Sequence, residues 1–176
     1  NDEKGSRKND YKYEIYRTIS YSVSTKKARI LVPDEKFERN TRLPILYIDS
    51  ENQKIIMSGS YIWDGDFVYS LFSIDLNTGR WNELVRGNYL TNSFYVDKHG
   101  NPRLRVDIDA KNKRVALFDI TDKKKKQLLD IQGNISLPFS IEGFLDDNTI
   151  LILDLEDNKS VAKKLKLDTI EIENYF

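Results

Sequence analysis

The stretch Phe67-Val-Tyr-Ser-Leu-Phe-Ser-Ile-Asp-Leu-Asn-Thr-Gly-Arg-Trp-Asn-Glu-Leu-Val85 holds two apolar, β-prone runs around Asn77-Thr-Gly79. Glycine there can take the left-handed backbone that tight turns demand, so the segment predicts a β-hairpin. The same grammar recurs on both sides. Ile45–Asp49 and Lys54–Ser58 flank Ser50-Glu-Asn-Gln53, and Phe94-Tyr-Val96 and Arg103–Val106 flank residues 97–102. Val115–Ile120 and Gln127–Ile131 flank residues 122–126, and Glu142–Leu145 and Thr149–Leu153 flank Asp146-Asp-Asn148. Val161–Leu167 and Ile170–Tyr175 close the chain. No long stretch sustains a 3.6-residue period. The best helical candidate, Asp122 to Asp130, is short, rich in Lys and equally readable as a hairpin turn.

The hairpins repeat. The first of each pair turns just after Asp49, Asp97 and Asp146, spaced 48 and 49 residues apart, and the second aligns on Leu76, Ile120 and Leu167, spaced 44 and 47. Two hairpins per period of this length describe one blade of a β-propeller, whose apolar faces only neighbouring blades can cover. The expected fold is therefore all-β, about three to four four-stranded antiparallel units forming an incomplete propeller. The units are placed at residues 43–88, 91–133 and 139–176. Tyr13–Val23 and Ala28–Val32 suggest a half blade within 11–40, the outer half of a preceding unit, and the polar residues 1–10 read as an arm or linker. A ring needs about four to eight blades. Three units leave apolar terminal faces of the kind seen in Ile45–Ile48 and Ile150–Leu153, to be covered by more polypeptide or by a second copy in a homo-oligomer.

Composition bounds the function. Lys plus Arg and Asp plus Glu both number 28, so no net field draws the molecule to nucleic acid or an anionic membrane. With 39% hydrophobic residues, 10 Tyr and 8 Phe, the chain can build a core. The absence of Cys removes disulfides, thiolate metal sites and a thiol nucleophile together. No apolar run approaches the roughly 18 residues of a membrane-spanning helix. A soluble protein is expected, cytoplasmic in preference to periplasmic or secreted, although Asn1 in place of Met leaves a removed leader or upstream region open.

Asp66-Phe-Val-Tyr-Ser-Leu-Phe-Ser-Ile-Asp-Leu-Asn-Thr-Gly-Arg80, then Val85-Arg-Gly87 and Tyr95-Val-Asp-Lys-His-Gly-Asn-Pro-Arg103, resembles the N-terminal propeller of serine peptidases of the prolyl oligopeptidase family. The shared pattern is a valine-tyrosine strand, a Thr-Gly turn and an Asp-x-x-Gly-x-Pro-Arg hairpin. It covers roughly residues 40–170. Asp146-Asp-Asn148 departs from it, lacking the proline and glycine of the family's usual turn. The resemblance implies a non-catalytic propeller that restricts access to an active site in an α/β-hydrolase domain, which this sequence does not contain. The alternative is a stand-alone interaction module with no enzymatic activity.

Candidate chemistry is sparse, with no catalytic residue, cofactor or metal assigned. No Gly-x-Ser-x-Gly elbow is present, and Ser58-Gly-Ser60 reads as a strand end. The one histidine, His99, falls in a hairpin turn beside Gly100. Asp64 with Asp66, and Asp107 with Asp109, could suggest calcium, but complete no calcium loop and read as turn or edge carboxylates. Lys123–Lys126 and Lys163-Lys164 lack the interleaved aromatics of a nucleic-acid surface. Trp63, Tyr61, Tyr69 and Trp81 form the candidate ligand groove, set against their commoner use in packing between blades.

Overall fold

The computed structural model describes residues 18–31, 44–121 and 125–176. Among them every regular element is a strand. After the pair β1 (Ile19–Ser22) and β2 (Lys27–Ile30) come β3 (Ile45–Asp49), β4 (Lys54–Trp63), β5 (Asp66–Asp75) and β6 (Trp81–Arg86). β7 (Thr91–Val96), β8 (Pro102–Asp109), β9 (Arg114–Asp119) and β10 (Lys126–Gln132) follow, then β11 (Phe139–Phe144), β12 (Thr149–Glu156), β13 (Lys159–Lys166) and β14 (Ile172–Asn174). They form three four-stranded antiparallel sheets, each a simple meander in chain order, plus the two-stranded β1-β2. The expected arm at 1–10 and most of the outlying 11–40 segment lie outside the described residues.

The first two sheets bury both faces because their strands are apolar on both, and the third buries the face toward the second. Ile56 and Leu71 of the first sheet meet Phe94 of the second, flanked by Leu46, Tyr69, Val85 and Val96. On its other face the second sheet sets Leu104, Val106, Val115 and Leu117 against Ile141, Ile150, Ile152 and Leu165 of the third. The sheets therefore stack in series, and β3 and β11 both approach β7, so the first strands gather along one line. Those first strands are edges, since β3, β7 and β11 each pair on one side only. This is the arrangement of propeller blades around an axis, here as an open arc.

The two ends of the stack differ. At the first sheet's outer face Ile55, Met57, Phe72 and Ile74 are buried together with Leu31, which follows β2. Ser20 Oγ donates to the Leu76 carbonyl at 3.2 Å, and the Arg29 side chain passes beside Gly79, so the β1-β2 pair lies on this flank. At the far end, Ile150 and Ile152 face inward, and alternation turns Leu151, Leu153 and Leu155 outward, Leu155 with 65% of its surface exposed.

Turn chemistry explains the connections. Asp49 accepts from the backbone N–H of Asn52 at 3.0 Å and from its side-chain amide at 2.8 Å, and Asp109 does the same with Asn112 at 3.0 and 2.7 Å. Asp75 takes the Thr78 N–H at 2.7 Å and Asp146 the Asn148 N–H at 2.9 Å. A second tie links the two hairpins of every sheet: Leu76 N–H to Gln53 at 2.9 Å, and Ile120 N–H to Arg103 and Leu167 N–H to Asn148, both at 2.8 Å. These donors are the three aligned apolar positions of the sequence repeat.

Three sequence readings are corrected here. Ser58-Gly-Ser60 lies inside β4 and does not end it. β4 and β5 are ten residues each and join through Asp64-Gly65, whose φ values of 50° and 87° fit a two-residue type I′ turn. The helical option over 122–130 gives way to strand from Lys126, where Lys126 pairs with Asp119.

Burial decides where substitutions cost most. Ile150→Ala, at a fully buried position between two sheets, is expected to destabilise by about 2–5 kcal/mol. Tyr89→Ala, at a position 84% exposed, should stay within about 0.5 kcal/mol. Urea denaturation of both variants checks the contrast.

The turn carboxylates give a pH dependence. The Asn52 N–H holds the Asp49 carboxyl below its ordinary value, the Thr78 N–H does so for Asp75, and the Asn112 side-chain amide does so for Asp109. A carboxyl depressed on folding adds stability above its unfolded pKa of about 3.9 and loses it as pH falls through the lower folded value. The melting temperature should hold between about pH 7 and 5 and drop below about pH 4. A thermal-melt series across that range reads it.

Candidate functional site

The first strand of every blade carries a β-bulge. Register slips between Ile45 and Tyr47 in β3, between Thr91 and Ser93 in β7, and between Ile141 and Gly143 in β11, so Leu46, Asn92 and Glu142 are the extra residues. A bulge re-aims a side chain at a sheet edge. Here the edges converge, and Leu46 and Glu142 both line a cavity of about 370 Å³ between β3, β7 and β11. Gly143, at φ 156°, supplies the backbone freedom beside Glu142.

The cavity walls are Ile45, Leu46, Phe94, Val96 and Ile141. Its polar groups are few. Ser58 and Tyr69 share a hydroxyl hydrogen bond of 2.8 Å, and the Tyr69 ring stacks on Phe94 at 6.0 Å with 8° between planes. Ser93 and Tyr95 come from β7. Glu142 is the one charged residue of the lining among the described residues, and its Oε1 accepts from Ser140 Oγ at 2.7 Å. The site can hold a ligand of modest size, and its described lining offers apolar walls, the hydroxyls of Ser58, Tyr69, Ser93 and Tyr95, and Glu142.

The four aromatic residues singled out from sequence do not form one groove. Tyr61 pairs with Val68 across the β4-β5 hairpin, so Tyr69, one residue on, faces the other way. Tyr69 joins the axial cavity. Tyr61, Trp63 and Trp81 belong to the opposite face, with Tyr61 edge-on to Phe72 at 5.8 Å and Trp81 edge-on to Phe72 at 5.4 Å. The Tyr61 hydroxyl donates to Glu83 at 2.7 Å, and burial raises its pKa. Trp63 stays 46% exposed with the Arg86 guanidinium 3.8 Å above its ring.

The remaining candidates have local duties. His99 N–H caps Asp97 at 2.8 Å beside a smaller hollow of about 230 Å³. Burial opposes ionisation of Asp97, but the Asn101 side chain and N–H and the His99 N–H outweigh it and lower the pKa. Asp64 forms a turn and Asp109 caps one, while Asp107 is buried. Among the described residues no three His, Asp or Glu side chains gather in a way that could hold a metal ion. Lys163 is ion-paired to Asp154 at 2.7 Å and Glu156 at 2.6 Å, and Lys164 lies 5.2 Å from the Tyr175 ring. Of the run at 123–126, Lys123 and Lys124 lie outside the described residues.

Sequence reading missed Arg105. Its side chain, 3% exposed, pairs with Asp107 at 2.7 Å between the first and second sheets, under the Phe118 ring at 5.0 Å. Thr91 Oγ1 donates to the same carboxylate at 2.9 Å, while Arg105 Nε and Nη1 have no partner. The one available signal was an Arg-x-Asp alternation inside an otherwise apolar strand.

No family model matches the chain, and no curated protein matches it. Among solved structures, an oligogalacturonate lyase from Vibrio parahaemolyticus is similar at 9% identity and TM-score 0.39, over 89% of this chain and 59% of that one. An endo-arabinase from Bacteroides thetaiotaomicron is similar at 14% identity and TM-score 0.42, over 78% and 62%. The chain spans about three-fifths of the length of each. Neither enzyme's chemistry is carried to this site.

The hydroxyl pair lends itself to a mutant cycle. Tyr69→Phe leaves the 1%-exposed Ser58 without its partner and should cost about 1–3 kcal/mol. Adding Ser58→Ala should recover part of that loss, as read from urea midpoints of the single and double variants.

Proposed function

We propose that this chain is the non-catalytic propeller segment of a prolyl-oligopeptidase-like serine peptidase, restricting access to an active site carried on an α/β-hydrolase domain. The observation that carries the reading is the axial hollow where β3, β7 and β11 converge. An opening bounded by rigid sheet edges admits molecules by size, and bulges shape its bore. The motif pattern across residues 66–103 supplies the family. The reading frame after Phe176 tests it. A Gly-x-Ser-x-Gly elbow followed by Asp and then His supports the reading, and a nearby stop codon overturns it in favour of the interaction module.

The module reading has its own support. Ile62, Trp63 and Phe67 cluster at the β4-β5 tip, Tyr89 and Ile135 stand exposed on links at the same rim of the stack, and Leu155 stands exposed near the end of β12 there. In a meander, the turns between second and third strands share this rim with the links between sheets. The opposite rim carries Asp, Asn, Ser and Gly turns with Leu145 exposed in one of them, and Ile48 and Ile172 stand exposed on the strands beside two others.

Either reading leaves the third sheet's outer face to be covered. Expressed alone, the chain is proposed to pair with a second copy through Leu151, Leu153 and Leu155. Burying such side chains is worth about 1.5–3 kcal/mol each when complete. Light scattering coupled to size exclusion should show a dimer that Leu153→Lys converts to monomer. A wild-type monomer at high concentration excludes the pairing.

A further inference from the structure

We propose that this chain assembles head to tail with a second copy of itself into a closed dimer, the outer face of the β1-β2 pair in one copy covering the outer face of the third sheet in the other. The inference rests on the pairing proposed above and deepens it by naming the surface that meets Leu151, Leu153 and Leu155.

The β1-β2 pair has two distinct faces. Ser20 and Arg29 are cross-strand partners, and since Ser20 reaches the Leu76 carbonyl while the Arg29 side chain passes Gly79, their face lies against the first sheet. Leu31, two residues beyond Arg29, is buried on the same side with Ile55, Met57 and Phe72. Ser22 and Lys27 share that face by alternation. The opposite face carries Ile19 with Ile30 and Tyr21 with Ala28. It is open to water, with Ile19 57%, Tyr21 61% and Ile30 47% exposed, and within the pair it carries no charge.

Direction selects the partner. The sheets stack in one sense, the following face of each meeting the preceding face of the next. The third sheet's outer face is a following face and the outer face of β1-β2 is a preceding one, so a second copy offers each the kind of surface its place in the series calls for. Two third-sheet faces brought together would reverse the sense of the stack. The side chains also suit one another. Leu153 pairs across strands with Ala162, and Tyr21 with Ala28, so both faces set a large side chain beside a small one, as interdigitation requires. Each copy supplies four layers, three four-stranded sheets and one two-stranded pair, and two copies double these to eight. A propeller ring closes with about four to eight blades. Contacts between unlike faces close when the rotation allows, and here the ring then holds the same interface twice.

Light scattering coupled to size exclusion of the full chain, with one exposed position changed on one face at a time, tests the proposal. Wild type should run as a dimer. Tyr21→Lys and Leu155→Lys each place a lysine in both interfaces of the ring, so either should weaken pairing at least about tenfold and run as a monomer where wild type is dimeric. Mixed in equal amounts, the two variants should recover dimer, because the unaltered β1-β2 face of one meets the unaltered third sheet of the other. That recovery also shows that both variants are folded. A dimer that survives Tyr21→Lys overturns the head-to-tail contact while leaving pairing through the third sheet in place. No dimer on mixing overturns it as well, and so does a ladder of larger species that grows with concentration, since the ring would then not close. A wild-type monomer at high concentration removes both this inference and the pairing it rests on.

Discussion

Sheet-on-sheet burial governs everything else in this molecule. A four-stranded sheet that is apolar on both faces cannot stand alone in water, and each one here is stabilised chiefly by the sheet or sheets packed against it. Leu71, Leu104, Val115, Leu117, Ile150 and Leu165 are fully buried because they lie between sheets. The convergence of first strands, and with it the axial hollow, is a by-product of packing twisted sheets face to face in one direction.

The second sheet breaks the pattern at one point. Where the first and third sheets turn Ile55 and Ile150 toward the preceding unit, the strand β8 turns Arg105. A buried ion pair seldom adds net stability, because desolvation of both charges consumes most of their attraction. Its effect is better sought in specificity: Thr91, Asn88 and Asp107 must all be in register for the guanidinium to be tolerated. Arg105 travels with Asp107 on one strand, so a slipped sheet would leave the buried carboxylate without the Thr91 hydroxyl and the Asn88 amide.

Much of the fold was legible because hairpin turns announce themselves locally. Asp49 with Asn52, Asp75 with Thr78 and Asp146 with Asn148 close their turns through contacts within three residues, so sequence alone carries them. The ten-residue β4-β5 hairpin was missed although Asp64-Gly65 is a strong turn signal. Recognising it would have placed Tyr61 opposite Val68 and separated Tyr61 from Tyr69 by simple alternation. The bulges at Leu46, Asn92 and Glu142 were beyond reach, since a bulge is a mismatch between two strands and neither strand records it alone. The axial hollow depends on those bulges, so it was hidden too.

The hydrogen bond that joins the two hairpins of each sheet bears on how the chain acquires its shape. Leu76 closes on Gln53, Ile120 on Arg103 and Leu167 on Asn148, so each latch spans no more than about two dozen residues. Every strand pairs with its neighbour in sequence, and no sheet waits for a distant partner. Loop-closure entropy is therefore small at each step. As the chain leaves the ribosome, the first sheet can latch before the second is made, and each finished blade offers a template on which the next condenses. Growth of the stack is vectorial, and its direction is that of translation.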